Sequence, residues 1–452
     1  MINTLYLPEL REMLTDQNSV DLGEFCEALH PARTAEFMEG LTADEAWEVL
    51  RHASMGTRVE IFSYYSPEKQ VKILETQDRE SVAELIAELA ADDRVDILQQ
   101  LDDDLVAELL RLLPTEDRRD ILRLQAFPEG TAGSVMTTDV AMLDEELSVT
   151  DALQELVRQA EDVETIYYLY VVDETRHLRG VVSTRQLVSA MGKPDTRLRE
   201  LMETDMAVVN VMDDQETAVD KVAHYDLLAI PVVDSDHRML GIITHDDIID
   251  VVREEATEDA HLSAAVTPLE ETYLRTPIIT LSRKRGVWLV ILFIGGLLTA
   301  FALQFYEDAM NRFHWLALFI PLIISSGGNS GNQSATLIIT AMTTGDIKIG
   351  DWLRVVIREL AMGLVLGGSL ALLGLVAAAL IAPEAIFIVP CTLLLVVLSG
   401  TLCGATLPLL FKRLGWDPAM MSNPFVAGIV DVLGIVIYVN VAIALESVVI
   451  GG

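Results

Sequence analysis

The alternation of apolar and polar positions divides the chain into two parts. Up to about residue 270, apolar residues recur at helix or strand spacing among charged residues, which predicts soluble domains. Beyond that point, long uncharged apolar runs predict membrane-spanning helices of about 20 residues each. The charge-free windows are 286–306, 313–345, 360–383, 385–411 and a last run, 418–445, interrupted only by Asp431. These windows predict spans at about 286–306, 313–343, 357–382, 386–411 and 424–448.

The segment from Ser66 to Leu124 consists of short helical phrases that recur roughly every 12 residues, such as SPEKQVKIL and RESVAELIAEL. Each phrase opens with Ser, Asp or Thr and early acidic residues, which cap a helix and suit its dipole. Each then places Leu, Ile or Val at helical spacing. The pattern predicts a superhelix of short helices.

Two segments of similar pattern follow, TIYYLYVVDETRHLRGVVSTRQLV at 165–188 and LLAIPVVDSDHRMLGIITHDDIIDVV at 227–252. Strands that alternate with helices at this spacing predict two small α/β units arranged as a pseudo-symmetric pair. Their closing phrases, GVVSTRQ and GIITHDD, resemble those of cystathionine-beta-synthase (CBS) modules. The second phrase ends with Asp247, whereas the first has Gln186 where such a module often has an Asp that contacts a ribose. An adenine nucleotide therefore stays open as a ligand of the CBS modules without being assigned.

Together these patterns predict a multi-domain membrane protein. Its expected fold class is an all-α superhelical N-terminal domain, tandem α/β CBS modules, a connecting helix and an α-helical transmembrane domain of five helices. The expected boundaries are 1–130 for the acidic helical domain, 131–200 and 201–253 for the two CBS modules, 254–275 for the connecting helix and 276–452 for the transmembrane domain.

The charge of the chain narrows the classes of partner. All of the formal net charge of −37 arises in residues 1–270, which contain 59 acidic and 22 basic residues, since the remainder contains 10 of each. Such a negative field opposes nucleic acid and anionic bilayer surfaces and favours cations. The cysteines are too few and too scattered for a disulfide scaffold or a zinc cluster: Cys26, Cys391 and Cys403.

Basic residues around the spans predict the orientation of the chain in the membrane. Arg283, Lys284 and Arg285 precede the first span, and Lys412 and Arg413 follow the fourth. The positive-inside rule therefore places the acidic part in the cytoplasm and the C-terminus outside. The first 16 residues contain no basic start followed by an apolar stretch, so no signal peptide is expected. We expect a multi-pass protein in the lipid bilayer of the plasma membrane, which is the inner membrane of a bacterial-type cell.

Acidic residues crowd the second module and the segment that follows it. Each of these acids alone is most simply a solvated surface residue. Close to Asp92 and Asp96, however, the charges of the whole group would repel one another unless cations bridged them. Oxygen ligands without His or Cys favour Mg²⁺ or Ca²⁺. No calcium-type loop is present, so water-mediated magnesium contacts of low affinity fit better than a tight cage.

The second span has polar residues at its centre, in PLIISSGGNSGNQSATLIITAM. Its charge-free window would make a straight helix of about 49 Å, beyond a hydrocarbon core of about 30 Å, so it must tilt, break or project. Asn329 and Asn332 need polar partners that lipid cannot supply, which favours a water-filled passage over close helix packing. For the glycines of this span, packing and pore lining stay equally open.

The fifth span contains Asp431, which the charge-free windows make the only ionisable residue inside any span. A buried carboxylate costs a few kcal/mol unless it meets water, a partner or a cation, so a cation site is favoured over a buried neutral acid. The helical spacing aligns Asp431 with Asn423, Ala427, Gly434 and Tyr438 on one stripe that could line a pore. Asn423 precedes Pro424, so it also fits a helix N-cap.

The runs GGNSGNQSATLII, SNPFVAGIVD and EATED, in this domain order, resemble the MgtE-type magnesium channels over nearly the whole chain. The resemblance implies a homodimer whose pore lies on the two-fold axis and is lined by spans two and five. It implies hydrated Mg²⁺ at the Asp431 pair, near Asn332, Asn423 and Ala427, and a connecting helix at about 248–265 that plugs the cytoplasmic end. The regulatory acids that it implies are Asp92, Asp96, Asp214, Glu216, Asp226, Asp247, Asp250, Glu255, Glu258 and Asp259.

The expected function is a Mg²⁺-selective channel that imports magnesium down its electrochemical gradient and closes when Mg²⁺ binds the acidic cytosolic domains. An inside-negative potential of 100 mV supplies about 4.6 kcal/mol for a divalent ion, and the chain has no ATPase motif. Two alternatives stay open, a CBS-regulated divalent-cation exchanger and a Mg²⁺ sensor that does not conduct. An enzyme is not expected, since no nucleophile–base pairing, phosphate loop or zinc motif is found.

Overall fold

The computed structural model describes residues 6–160, 163–269, 273–274, 276–421 and 423–445. The chain forms two compact units, Met1–Val252 and Arg253–Gly452.

The first unit begins with short helices. Their bounds are α1 Leu7–Thr15, α2 Ser19–Ala28, α3 Pro31–Met38, α4 Ala43–Leu50, α5 Met55–Ser63, α6 Pro67–Thr76, α7 Arg79–Ala87, α8 Ala91–Gln99, α9 Asp103–Leu112 and α10 Thr115–Leu124. Local capping starts several of them: Thr42 and Glu45 form a capping box, and Asp78 accepts from the Ser81 backbone. From α3 onward, each helix packs on the helix two further along the chain, as in α3 on α5 and α7 on α9. This arrangement confirms the predicted superhelix.

Two three-stranded modules follow in the same unit. The first contains β1 Val140–Asp144, α11 Val149–Gln159, β2 Thr165–Val172, β3 Leu178–Ser183, α12 Thr184–Ser189 and α13 Leu198–Leu201. The second contains β4 Val209–Asn210, α14 Gln215–Tyr225, β5 Ala229–Val233, β6 Met239–Thr244 and the start of α15, His245–Ser263. In each sheet the first strand is parallel to the second, and the second is antiparallel to the third. The repeated topology confirms the predicted pair of α/β modules.

The connecting helix lies close to the range of about 248–265 that the resemblance implies, and differs from the expected domain bounds of 254–275. Helix α15 continues without a break from the last strand of the second module to Ser263, so the predicted boundary at 253/254 falls inside one helix. The helix also ends well before 275, because the chain turns after it, with Ala265 at a positive φ of 57°. Pro268 follows this turn, and Pro277 directly precedes the next helix.

The second unit consists mainly of long helices. Their bounds are α16 Ile278–Phe305, α17 Glu307–Arg312, α18 Leu316–Thr343, α19 Trp352–Ile381, α20 Ile388–Arg413 and α21 Asn423–Ala444. Among the described residues, four segments are long and apolar enough to cross a membrane: Ile278–Phe305, Ile349–Ile381, Ile388–Arg413 and Asn423–Ala444. Helix α18 is equally long, but its polar centre keeps it outside that group, so a fifth span stays a prediction. Its 28 residues form one helix with Pro321 inside, so it does not break.

Helix α20 lies at the centre of this unit and packs on α18, α19 and α21. Its backbone approaches that of α18 closely. A Cβ atom added at Gly400 would lie 2.5 Å from the Gly327 carbonyl oxygen, and one added at Gly404 would overlap the Gly331 carbonyl oxygen. Small residues thus allow the two backbones to touch, as is usual for packed membrane helices.

Candidate cation pathway and acidic clusters

Asp431 lies in the middle of α21, half-exposed, where this helix approaches α18. A Cβ atom added at Gly328 would lie 3.5 Å from Asp431 Oδ1 and 3.6 Å from Ala427 Cβ. In the described part of the chain, no side chain or backbone group forms a hydrogen bond or ion pair with this carboxylate. A carboxylate without a protein partner at this depth is costly unless water or a cation meets it.

The predicted amides lie along the same two helices. Thr336 Oγ1 lies 3.2 Å from Asn423 Oδ1, which joins α18 to the first turn of α21. Asn329 is exposed, and its Nδ2 donates to Ser325 Oγ at 3.3 Å. Asn332 Oδ1 is shielded from solvent, yet no described group donates to it. The structure therefore brings Ala427 and Asp431 together at Gly328. Asn329 and Asn332 follow Gly328 along α18, and Asn423 lies at the start of α21.

The expected stripe on α21 divides into two halves. Asn423, Ala427 and Asp431 are half-exposed, whereas Gly434 and Tyr438 are buried. The Tyr438 ring packs within a hydrophobic core of this unit, with its centroid 6.5 Å from that of Trp315. Only the first half of the stripe is accessible in this structure, because neighbouring helices cover the second half.

The glycines of α18 also divide by role. Cβ atoms added at Gly327 and Gly331 would meet Val430 at 2.9 and 3.3 Å, and both glycines also lie against α20. Gly328 instead faces Ala427 and Asp431. Packing therefore explains Gly327 and Gly331, and only Gly328 lies beside the carboxylate.

Glu359 is a second acidic residue within a long helix, and the sequence reasoning missed it. The charge-free window begins one residue after it, but α19 begins at Trp352 and so includes it. Glu359 is 9% exposed, and its Oε2 accepts a hydrogen bond of 2.6 Å from Ser334 Oγ on α18. The charge-free windows predict that Asp431 is the only ionisable residue inside any span. That prediction is wrong, because Glu359 lies inside α19.

A group of carboxylates surrounds Asp92 in the first unit. Asp92 lies in the first turn of α8, and its Oδ1 is shielded from solvent without a described hydrogen-bond donor. Burial raises the pKa of Asp92 well above its usual value, and the nearby charges of Asp247, Asp93 and Glu164 raise it further. Burial likewise raises the pKa of Asp247 to about 6 and that of Glu164 to about 7. A cation that binds beside Asp247 and Glu164 would displace the protons that these two carboxyl groups hold near neutral pH.

Asp247 also has a local structural role. It lies at the start of α15, where the Thr244 backbone N–H donates to Asp247 Oδ2 at 3.3 Å and the Thr244 hydroxyl also lies within hydrogen-bond distance. These hydrogen bonds oppose the effect of burial on its pKa. The carboxylate is thus held in place at the point where β6 meets α15.

Further acids belong to this group. Burial raises the pKa of Asp93, and the charges of Asp246 and Asp250 raise it further, so the predicted Asp250 lies near this group. Burial also raises the pKa of Asp139, while Arg94 lowers it. Sequence reasoning missed Glu164 and Asp139, because no spacing relates them to Asp92 and Asp247, and it passed over Asp93 although Asp93 adjoins Asp92.

The remaining predicted acids of this unit lie elsewhere in it. Asp96 is exposed one turn after Asp92 on α8. Asp214 caps α14 by accepting from the Glu216 backbone at 2.9 Å, and Asp226 ends the same helix with a positive φ of 51°. These residues have local roles at the ends of α14, and any metal binding by Asp96, Asp214, Glu216 or Asp226 stays a prediction.

A second acidic group lies in the second unit, around the end of α15. Burial raises the pKa of Glu258, and Glu255 and Asp417 raise it further. Burial also raises the pKa of Asp259, and the charges of Asp417 and Glu255 raise it further. Asp417 precedes α21, and sequence reasoning missed it, since nothing local to it suggests proximity to α15.

Neither group forms a ready-made cage. Within the described ranges, no set of three or more His, Cys, Asp or Glu side chains is placed to hold a metal ion directly. The arrangement suits contacts through water, which Mg²⁺ releases reluctantly.

A cleft enclosing about 340 Å³ opens between the two modules of the first unit. Gln186, where a ribose-binding Asp was expected, caps α12 together with Ser183, and its Nε2 donates to Glu203 Oε1 at 2.8 Å. Its side chain is therefore engaged within the protein, which weakens the case for a ribose contact at this position.

A helical domain, paired CBS modules and a bundle of apolar helices with an unpartnered carboxylate define a membrane transport protein for cations. Family models agree: one described as a divalent cation transporter matches residues 320–441, the MgtE intracellular N domain matches 29–130, and the CBS domain matches 132–193 and 198–254. The magnesium transporter MgtE of Thermus thermophilus is 38% identical to this chain, over 97% of the chain and 98% of the relative. The chain belongs to the MgtE family.

Other relatives and solved structures agree with this assignment. The magnesium transporter MgtE of Enterococcus faecalis is 32% identical, over 70% of this chain and 69% of the relative. The crystal structure of the soluble part of a magnesium transporter is 34% identical with a TM-score of 0.52, covering 55% of this chain and 97% of that one. The cytosolic domain of the Mg²⁺ channel MgtE in complex with ATP is 35% identical with a TM-score of 0.50, covering 54% and 98%.

Proposed function

We propose that this protein is a channel that imports Mg²⁺ down its electrochemical gradient. One observation supports the proposal most directly: Asp431 lies beside Gly328 on a half-exposed helix face, and no described residue pairs with it. A full carboxylate charge in such surroundings is tolerable when a cation and its water pass beside it. Hydrated Mg²⁺ suits this position, because the ion sheds its water reluctantly and the carboxylate can accept from that water.

We infer that two copies form the pore, with Asp431 of each copy facing the two-fold axis. Two carboxylates then offer two negative charges to one divalent ion, and Asn332, Asn423, Ala427 and Asn329 contribute polar or small surfaces along the passage. The membrane potential supplies about 2.3 kcal/mol per charge per 100 mV, so import needs no coupled reaction. The orientation inferred from the basic residues places the acidic units in the cytoplasm, at the exit of this pathway.

We further infer that internal Mg²⁺ closes the channel. The carboxylates of Asp92, Asp247 and Glu164 form one acidic group, and those of Glu258, Asp259 and Asp417 form another. The charges within each group repel one another, and divalent ions relieve that repulsion. Bound Mg²⁺ would favour a compact form in which α15 obstructs the cytoplasmic end, and loss of Mg²⁺ would release it. Several weak sites acting on one equilibrium give a steep response, because each shifts it by its differential affinity.

Two other functions fit the fold less well. A cation exchanger would share the CBS modules, but currents larger than a cycling carrier can sustain would exclude it. A sensor that does not conduct would keep the acidic groups and would not need the unpartnered Asp431. The transporter names of the relatives favour transport over catalysis.

The proposal is tested by Mg²⁺-dependent growth and uptake in a strain without its own magnesium importers. The wild type should restore growth on scarce Mg²⁺, and Asp431→Ala should fail to do so at equal membrane abundance. Asp346→Ala, which changes an exposed acid outside the bundle, is the matched control and should behave like the wild type. Full growth with Asp431→Ala would contradict the proposal.

A further inference from the structure

Glu359 of α19 and Ser334 of α18 meet inside the bundle of long helices, on a different face of α18 from Asp431. The two side chains are 9% and 5% exposed, and Ser334 Oγ donates to Glu359 Oε2 at 2.6 Å. Ser334 comes six residues after Gly328, so it lies about 9 Å further along α18 and about 120° around it. Since Gly328 lies beside Asp431, the Glu359 carboxylate is separate from the pathway proposed for Mg²⁺.

No positive side chain balances the Glu359 carboxylate. Within the described ranges, no Lys, Arg or His side chain forms an ion pair with it. Along α19, Arg354 pairs instead with Asp351 at 3.1 Å, and Arg358 is exposed. The distance from Ser334 is that of a hydroxyl donating to an ionised carboxylate, about 2.5–2.7 Å. Such a charge inside a membrane bundle is costly unless a partner, water or a cation meets it.

The second oxygen of this carboxylate is available to a ligand. No described group donates to Glu359 Oε1, and this oxygen is not fully shielded from solvent. A small ion can therefore reach Oε1 in the folded protein.

Packing holds the carboxylate in position before any ligand arrives. The Thr401 hydroxyl oxygen of α20 lies 3.4 Å from the Glu359 carbonyl oxygen. A Cβ atom added at Gly363, one turn further along α19, would lie 2.6 Å from the same hydroxyl oxygen. The two helices are therefore in close contact at this level, and a site held in this way loses little conformational entropy on binding.

We propose that Glu359 and Ser334 hold one Na⁺ ion, which contacts the carboxylate and the hydroxyl oxygen. Both are hard oxygen ligands, and one negative charge balances one monovalent ion. Mg²⁺ suits this position less well, because it sheds its water reluctantly and demands octahedral geometry, whereas the site has a single carboxylate between packed helices. The small opening left by two buried side chains favours Na⁺ over the larger K⁺. The proposal is independent of whether the protein conducts Mg²⁺.

The test measures the Tm of the purified full-length chain in detergent while NaCl replaces choline chloride at constant ionic strength. Enough Mg²⁺ is present throughout to occupy the acidic groups. We expect a saturable rise in Tm of a few degrees, because a ligand that binds only the folded state stabilises it. KCl should produce a smaller rise. Binding of radioactive sodium to the wild type should saturate at one ion per chain.

Variants locate the ion. Glu359→Gln keeps the size of the side chain and an oxygen that can accept from Ser334, and it should abolish both the Na⁺-dependent rise in Tm and the saturable binding. Ser334→Ala should raise the Na⁺ concentration of half-maximal effect several-fold, because one ligand oxygen is lost. The matched control is Asp346→Asn, which neutralises an exposed acid outside the bundle and should respond like the wild type.

Three results would overturn the proposal. A Tm independent of Na⁺, without saturable sodium binding, would mean that no Na⁺ balances Glu359. An equal effect of K⁺ would show that the site does not select Na⁺. A Na⁺ effect that Asp431→Asn removes and Glu359→Gln retains would place the ion in the Mg²⁺ pathway instead.

Discussion

The Asp431 carboxylate of α21 lies beside Gly328 of α18. Asp431 could be found from sequence because a charge inside an apolar run is conspicuous. Its surroundings could not, since Gly328 and Asp431 come together only when two distant helices pack. The division between packing glycines and the one glycine beside the carboxylate is thus a structural finding.

Gly328→Ala tests that finding at the scale of one methyl group. The added Cβ would lie 3.5 Å from Asp431 Oδ1, which is ordinary van der Waals distance, so the protein should fold with unchanged stability. The methyl group would narrow the space beside the carboxylate and displace water from it. We therefore expect Mg²⁺ flux into liposomes to fall several-fold while the Tm stays unchanged. Flux equal to that of the wild type would show that Gly328 does not border the passage.

Glu359 shows a different way in which sequence reasoning fails. A window that counts charges stops at this residue, although the helix that contains it starts about two turns earlier, at Trp352. Its neighbour Ser334 is 25 residues away in sequence, so no local pattern signals their hydrogen bond.

The contribution of the hydrogen bond between Ser334 and Glu359 to stability can be measured by substituting each residue in turn. Ser334→Ala should lower the free energy of unfolding by about 1–3 kcal/mol, because it leaves a buried carboxylate oxygen without its donor. Glu359→Gln should cost less, since the amide oxygen can still accept from Ser334. Denaturation in detergent measures the free energy of unfolding of both variants. Ser369→Ala is the control, because the Ser369 hydroxyl donates a hydrogen bond within its own helix, to the Val365 carbonyl oxygen at 2.9 Å. If Ser334→Ala proved as stable as that control, the hydrogen bond between Ser334 and Glu359 would not stabilise the fold as described.

At the scale of elements, periodicity predicted the short helices, the two sheet modules and the long apolar helices. It could not predict that α15 is continuous across the expected domain boundary, because a helical pattern carries no mark of where one domain ends. The acids Glu164, Asp139 and Asp417 were missed for the related reason that their partners lie on other elements.

The contact between α18 and α20 is the element packing most sensitive to change. A Cβ atom at Gly404 would overlap the Gly331 carbonyl oxygen, and backbone cannot move aside without separating the helices. Gly404→Ala should therefore lower the Tm and the yield of folded protein strongly. Gly428→Ala is the matched control, since its added Cβ would have no atom within 4 Å and Ala favours helix over Gly. Equal stability of the two variants would contradict the described packing.

At the scale of the whole molecule, the charge of −37 is concentrated where it can respond to cations. Burial raises the pKa values of Asp92, Asp247 and Glu164 above their ordinary values, so the folded first unit favours their protonated forms. The resulting stability is present at low pH and is lost as pH rises through about 6 to 7, the pKa values of Asp247 and Glu164. Divalent ions should restore it, because they replace the lost protons.

Thermal unfolding of the full chain in detergent with a chelator should therefore show a Tm that falls between about pH 5 and pH 8. Added Mg²⁺ should raise the Tm at the higher pH more than at the lower. Asp92→Asn should flatten this dependence, whereas Asp96→Asn, an exposed acid one turn away on the same helix, should retain it. A Tm that rises with pH without Mg²⁺ would contradict the assignment of a coupled acidic group.

The central claim is that Mg²⁺ travels past Asp431 as it crosses the membrane. It is tested most directly by electrical recording from the purified protein in planar bilayers, with Mg²⁺ as the only permeant cation and with a chelator on the cytoplasmic side. We predict Mg²⁺ currents for the wild type and at least about a tenfold smaller current for Asp431→Asn, which keeps the size of the side chain and removes its charge. Undiminished Mg²⁺ current through Asp431→Asn would show that the ion takes another path.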